Sequence, residues 1–536
     1  MDAKQIISRL AELKAERSQF ESQWNDIDDR IAGPAMFGRE NTTPGEKRGM
    51  KMFDSTAMIG IDRFAATMSS LMTPQNEQWH KLEMEGDSDH DAKVYTEEVT
   101  DIIFKARYAS RSGFPSQIHE FYKGLARYGT AILAINDIQG IRYRNLALTE
   151  IYLEENWQGQ IDTVYRRYPL TARQAVQQFR EKTPEKIARS AETKPGEKFW
   201  FVQKVCPNKD RDESRLDAKG MKFASYDICE MEQVIVDEGG YREFPFTVGR
   251  FSTSPGDVYG RSPIMQVLPT IKMLNAMKKT TLRAGDLATD PPLLTANDGS
   301  LQAFQIRPGA LIPGGVVDGR QNVMPLQMGK NIPFSMEIMA GERKTINDAL
   351  FVSLFEILAE DRRQMTAQEV LHRAQEKGDL LGPIAGELQV SVFGPMIERE
   401  LDILESARQL PKPPESVRLS GGYYKIQYTS PITRAQKAGE GIAVMRMVES
   451  TAAIAQFDPT APKRVKWDVA LQVLADAQGF PSKALRSDEE MKAIEEQEAQ
   501  AQQVQQLLQA APVAAQSAKY LAEAQSMSGS PDGGSF

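Results

Sequence analysis

Few residues in this 536-residue chain stand at spacings that could do chemistry. The four histidines, His80, His90, His119 and His372, are dispersed, and none sits in an HExxH, a His-x-Glu with paired cysteines or a GxSxG pattern. They read as surface or packing side chains. A phosphate-binding loop needs two glycines with four residues between them, then Lys and a hydroxyl for magnesium. The nearest look-alike, Gly329-Lys330-Asn331, has Met324 at the first glycine position and no hydroxyl, which excludes a P-loop nucleotidase. DHDAK at 89–93 reads as a solvated connector between helices, and no carboxylate pair stands at a spacing that supports nuclease or glycosidase chemistry. Cys206 and Cys229 form no CxxC and have no histidine at ligand spacing, so they read as reduced, half-buried thiols. The expectation is a protein that is not an enzyme and carries no metal or cofactor.

The most informative stretch is 246–292, FTVGRFSTSPGDVYGRSPIMQVLPTIKMLNAMKKTTLRAGDLATDPP. An extended segment and a glycine-punctuated turn lead into one long helix. From Pro263, apolar side chains fall at Ile264, Val267, Leu268, Ile271, Leu274, Met277 and Leu282, a spacing that defines one buried stripe. Lys272, Lys278, Lys279 and Arg283 lie largely off it, and Pro291 with Pro292 stops the helix. A stretch rich in Gly and Pro follows, and then a second helical run, FSMEIMAGERKTINDALFVSLFEILAEDRRQ, completes a hairpin of helix, small module and helix.

Upstream, 3–32 reads as an amphipathic helix with Ile6, Leu10, Leu13, Phe20, Trp24, Ile27 and Ile31 near one face. A loop at 33–48 separates it from a second helix, capped by Ser55 or Thr56 and ending at Pro74, with Ile59, Phe64, Met68, Leu71 and Met72 on its apolar face. A helical pattern at 92–127 breaks at Gly113 and Pro115. From Gly129 the period shifts toward two: TAILAIN, then two β-rich runs flanking NWQG as a hairpin, then a short helix capped by Thr171. Strand-like runs continue through 198–251, with a charged connection at 207–219. Downstream, 366–408 reads as helix with kinks at Gly382-Pro383 and Gly394-Pro395, GGYYKIQYTSP as extended chain, and 433–455 and 467–477 as helix. Residues 487–511 are strong helix formers with few large apolar residues, so they make either a solvated tail or one stave of a multi-chain tube. The last ten residues read as disordered by composition.

At this length three or more packed units are expected. Lys and Arg number 65 against 73 Asp and Glu, a net charge of −8, which argues against a binder held on nucleic acid by phosphate neutralisation. No apolar run reaches the roughly 18 residues needed to span a bilayer, so membrane insertion is not expected.

The helix, module, helix order resembles the stem, clip, stem arrangement of phage portal proteins, and the wording resembles, more narrowly, the head-to-tail connectors of short-tailed, T7-like podoviruses. The similar pieces are FDSTAMIGIDRFAATMSSLMTPQNEQW, IDTVYRRYPLTARQAVQQF, DPPLL followed by RPGAL, and DRRQMTAQEV, in order over most of 1–450. The resemblance implies an α+β, mainly helical portal fold. Its parts would be a wing (1–260), stem helix 1 (261–290), a clip (291–332), stem helix 2 (333–360), a tunnel loop and wing helices (361–430), a crown (431–486), a helical barrel (487–526) and a disordered tail (527–536). It also implies a homo-oligomeric ring of about 12 copies at one capsid vertex, assembled in the host cytoplasm. Double-stranded DNA would pass along its axis during packaging and ejection. Its partners would be the large terminase ATPase, tail adaptor or tail tube proteins, and the major capsid and scaffold or core proteins. The channel candidates are Arg362 and Arg363, which fall where such portals have their tunnel loop, with Lys278, Lys279 and Arg283 on the first stem helix. Net acidity suits a tunnel that must not grip its cargo, because each phosphate neutralised by a fixed cation adds retarding affinity. Two other readings stay open: a self-assembling scaffold without DNA passage, which predicts open or variable oligomers, and an unrecognised DNA-processing enzyme, which predicts metal-dependent turnover.

Overall fold

A computed structural model describes residues 2–31, 52–84, 90–289 except 216, short strands between 293 and 325, 332–352, 381–417 except 416, 424–455 and scattered positions to 494. Two units make up the chain: residues 1–86 with 95–439, and residues 87–94 with 440–536. The first carries the sheets and the helix pair described below.

Helix α1 (Ala3–Ile31) buries Ile6, Leu10, Leu13, Trp24, Ile27 and Ile31, the expected stripe, while Phe20 is only partly covered. Helix α2 (Thr56–Met72) buries Phe64, Met68 and Met72, but Ile59 is exposed. A short strand, β1 (His80–Met84), precedes α3 (His90–Arg107), so His90–Lys93 of the DHDAK run open a helix; Asp91 in its first turn suits the positive helix end. Gly113, at φ 71, starts α4 (Phe114–Tyr128) with Pro115 in its first turn.

Strands β2 (Thr130–Asp137) and β3 (Ile141–Leu146) form an antiparallel pair. The run IRYRNL of β3 adds a strand to those the sequence predicts, alternating buried Ile141 and Tyr143 with exposed Arg142 and Arg144. Strands β4 (Ile151–Glu155) and β5 (Ile161–Thr171) make the hairpin around NWQG. Thr171 then caps α5 (Ala172–Phe179) in a reciprocal box with Gln174, and α6 (Glu185–Thr193) follows. Strands β6 (Lys198–Pro207), β7 (Phe223–Cys229) and β8 (Val234–Tyr241) complete an antiparallel meander in the order β4-β5-β6-β7-β8. Strand β9 (Phe246–Arg250) instead joins the other sheet, ordered β3-β2-β9. Ile6, Leu10 and Leu13 of α1 pack on Tyr152, Tyr165, Val202 and Ile228 of the meander. Trp24 enters a separate cluster with Tyr128, Ile132, Val164 and Val248, which joins the two sheets. Cys206 and Cys229 are free and buried, more deeply than expected.

The long helix from Pro263 is two helices, α7 (Pro263–Gln266) and α8 (Leu268–Thr289), interrupted at Val267. Pro269 explains the break, since it has no N–H to donate one turn back and its ring crowds the preceding turn. Beyond α8, β10 (Leu293–Thr295), β11 (Val316–Val317), β12 (Arg320–Gln321) and β13 (Val323–Pro325) make two nested antiparallel pairs. Helix α9 (Ile332–Ala349) then returns against α8. Residues 381–388 are helical and include Gly382 and Pro383. At the second expected kink a π-turn, Gln389–Phe393, leads into α10 (Gly394–Ser406), and the Gly394 N–H donates to the Gln389 carbonyl five residues back. Pro395 cannot continue the regular ladder, and the wider turn absorbs it. Strand β14 (Tyr424–Tyr428) pairs antiparallel with β1, and α11 (Pro431–Ala455) follows. The helical run at 487–511 lies outside the described residues, apart from two positions.

Gly129 closes α4 at φ 79, and a Cβ there would stand 2.4 Å from the Gly260 carbonyl oxygen and 2.6 Å from the Ser262 nitrogen. The turn leading to α7 therefore lies directly on the end of α4. Gly129→Ala should combine a strained backbone with a clash against rigid main chain, and chemical denaturation should show a loss of about 3 kcal/mol or more.

Candidate functional site

The helix pair α8–α9 is anchored at one end and bare at the other. At the base, Leu268, Ile271, Leu274 and Asn275 of α8 are buried with Ile346 of α9 and Leu350 just past its end, and Met339 midway along α9 is buried too. The expected stripe of α8 is covered only this far. Met277 is half-buried, and Leu282 is exposed, as are Met273, Leu287, Phe334 and Met336.

The base is held by one carboxylate. Asp54 Oδ1 accepts from the Thr56 backbone N–H at 3.0 Å and from the Thr56 hydroxyl, which caps α2. Ser55 occupies the N-cap position but makes no side-chain cap, so the expected Ser55 or Thr56 cap is corrected to Asp54. The other oxygen, Oδ2, takes a two-pronged contact from Arg343 of α9, Nε at 3.0 Å and Nη2 at 2.8 Å. Asn275 of α8 closes the junction: its Oδ1 accepts from the Phe53 and Asp54 N–H groups at 2.7 and 3.0 Å, and its Nδ2 donates to the Ile271 carbonyl. Burial pushes the Asp54 carboxyl up, but the Thr56 hydrogen bonds and the Arg343 guanidinium outweigh it and hold it below its ordinary value. Gly60 allows the close approach of α2 and α9, since a Cβ there would lie 2.5 Å from Leu350 Cδ1.

Lys278, Lys279 and Arg283 lie on α8 beyond this base. Lys278 is partly exposed, and Lys279 and Arg283 are exposed. Lys279 Nζ sits 5.5 Å from the centre of the Phe53 ring, and among the described residues none of the three has an ion-pair partner. Lys272, Lys279 and Arg283, at spacings of seven and four, share one helix face over about 16 Å, with Lys278 turned about 100° away. Lys272 is tied to Asp26 of α1 at 2.6 Å. Arg362 and Arg363 lie outside the described residues.

A second anchorage holds the chain where it returns. Arg107 of α3 and Glu400 of α10 are fully buried and paired, with Arg107 Nε 2.9 Å from Glu400 Oε1. Tyr143 of β3 donates to the same carboxylate, Arg107 stacks 4.4 Å over Trp79, and its Nη1 faces His80 Nδ1 at 3.3 Å. Burial, and then the Arg107 charge, push His80 well below its ordinary value, so it stays neutral near pH 7. His80 is thus a packing histidine. No spacing rule reveals Arg107 or Glu400, which are 293 residues apart. Asp54 did leave a signal, as a strong capping type two positions before the helix.

Among the described residues no group of three or more His, Cys, Asp or Glu could hold a metal ion, and no helix is long and apolar enough to cross a membrane. What the geometry offers is a projecting, cationic helix pair on an anchored base. Comparison with known proteins finds the bacteriophage head to tail connecting protein family, whose model matches residues 3–485. The chain belongs to this family. It is similar to the portal protein of Salmonella phage epsilon15, with 27% identity covering 98% of this chain and 96% of that one. It is also similar to a protein of Bordetella phage BPP-1 described as "Probable portal protein", with 26% identity covering 94% and 92%. The family is defined by connection of head to tail, a structural role and not a catalytic one.

The Asp54–Arg343 contact should be worth more than an exposed ion pair, because the Asp54 side chain is only 7% exposed. A double-mutant cycle with Asp54→Ala and Arg343→Ala, read by urea unfolding, should give a coupling of about 1–3 kcal/mol.

Proposed function

We propose that the chain is a portal subunit: copies form a closed ring at one capsid vertex of a phage virion, through which double-stranded DNA is packaged and later ejected. The match to the head-to-tail connecting family over residues 3–485 carries this reading. The helix pair supports it. Exposed Leu282, Leu287, Phe334 and Met336 leave the outer half of α8–α9 with apolar surface that a neighbouring copy would cover. The Lys279 and Arg283 face would then look toward the axis. In this reading α8 and α9 are the stem and the β10–β13 module the clip, which docks the large terminase and later the tail adaptor. Residues 361–430 supply the tunnel loop and wing helices, 431–486 the crown and 487–526 the barrel. Arg362 and Arg363 would guide the strand. The ring would meet the major capsid and scaffold or core proteins from its wing, after assembly in the host cytoplasm.

Single-particle imaging of the purified chain, with mass by light scattering, should show a closed ring of about 12 subunits and an axial hole wide enough for duplex DNA. A monomer or an open polymer refutes the proposal. In phage carrying Arg362→Ala with Arg363→Ala, rings should still assemble while packaged length or genome retention changes. Normal values for both would remove these arginines from the channel.

A further inference from the structure

On the face of the meander that α5 and α6 cover, a row of polar side chains crosses four strands in register: Arg166 of β5, Gln203 of β6, Asp227 of β7 and Asp237 of β8. The row lies between two apolar clusters, one holding Tyr168, Phe201 and Cys229 and the other Val164 and Val205. Its two carboxylates stand directly opposite each other, an arrangement that costs stability when both are charged. Among the described residues only one of them has a cation: Lys182, between α5 and α6, pairs with Asp237. Asp227 accepts from the Tyr168 hydroxyl at 3.4 Å, and Gln178 of α5 donates to that same hydroxyl. Arg166 is engaged elsewhere. It pairs with Glu150 at 3.1 Å, stacks 4.2 Å over Tyr168 and stands two strands from Asp227, roughly 10 Å in backbone spacing. Tyr241 of β8 lies on the same face, with Arg399 of α10 5.1 Å over its ring.

Strand β8 is poorly placed to bear that repulsion. It is an edge with β7 as its one neighbour in the sheet, and Gly239 and Gly240 weaken it further. The register slips between Asp227 and Ile228, which leaves Val236 as an extra residue beside the acid pair. Val236 is buried in the cluster beneath α5 and α6, whereas Val234 at the start of the strand is 51% exposed. The other end is covered, since a Cβ on Gly240 would lie 2.9 Å from the Ala218 carbonyl oxygen. Opening of the strand therefore starts from Val234. Burial, and then the Asp237 charge, push the Asp227 carboxyl up to about 7, against the smaller pull of Tyr168 and Arg166. A carboxyl raised in this way keeps a proton that an exposed aspartate, titrating at about 3.9, has already lost. Its contribution to the closed strand is fully present below about pH 4 and is lost as pH rises through about 7.

We infer that Asp227 is a proton-dependent catch on β8: protonated, it lets the strand close against β7, and ionised, it repels Asp237 and frees the Val234 end. The device belongs to the single chain and does not depend on the ring. The test is hydrogen–deuterium exchange of the purified full chain across about pH 5.5 to 8.5, corrected for intrinsic rates and read by mass spectrometry. Between about pH 6 and 8, protection over 234–238 should fall roughly tenfold while β2 stays level. Asp227→Asn should abolish the fall, and Asp237→Asn should shrink it by removing the facing charge. Level protection of β8 in the unaltered chain overturns the inference, as does a fall of full size in Asp227→Asn. An equal fall in β2 overturns it too, since the effect would then be global unfolding. If Asp227→Asn does not fold, Asp237→Asn decides, and an undiminished fall there sinks the catch.

Discussion

Two oxygens of one carboxylate, Asp54, decide how the projecting part of this molecule is held. One oxygen closes the N-terminus of α2 and the other pins Arg343 of α9, while Asn275 of α8 grips the backbone at Phe53 and Asp54. Three helices from distant parts of the chain meet at this point. The outer half of the helix pair carries exposed apolar residues, whereas its base is held by Asp54, Asn275 and Arg343. Low exposure makes the base stiff, since breaking a poorly hydrated carboxylate–guanidinium contact leaves a charge without compensation.

The second buried charge pair does comparable work at the far side of the excursion. The chain leaves the sheets at α7, runs out and back through α8 and α9, and returns to β2, β3 and β9 through α10. Glu400 receives Arg107 and Tyr143 in a site closed to water, so α10 has one position in which its carboxylate is satisfied. The π-turn before it accommodates Pro395 without releasing that position.

Much of the secondary structure was legible because it rests on local rules. The stripe of α1, the glycine and proline punctuation around α4, the Thr171 cap and the NWQG hairpin all follow from residues close in sequence. The misreadings have local causes as well. Val267 interrupts a stripe that is continuous by period, because Pro269 breaks the backbone ladder that period does not register, and β3 is a strand only six residues long whose alternation is correspondingly weak. The outer end of the α8 stripe reads as core by period, yet Met277 is only half-buried and Leu282 stays exposed in the single chain. Periodicity reports that a face wants a partner and not whether that partner is in the same molecule.

The sequence alone determined the class of protein: no catalytic or nucleotide motif, an acidic balance, and an ordered set of segments similar to head-to-tail connectors. It also determined the helix, small module, helix hairpin, because amphipathic period and proline stops are encoded within a few residues. Tertiary structure alone decided the contacts that give the hairpin its direction. Asp54 with Arg343 and Arg107 with Glu400 each join residues whose separation in sequence carries no period or spacing. Such pairs exist only after burial has removed water and made an unpaired charge costly, and that condition is a property of the folded chain.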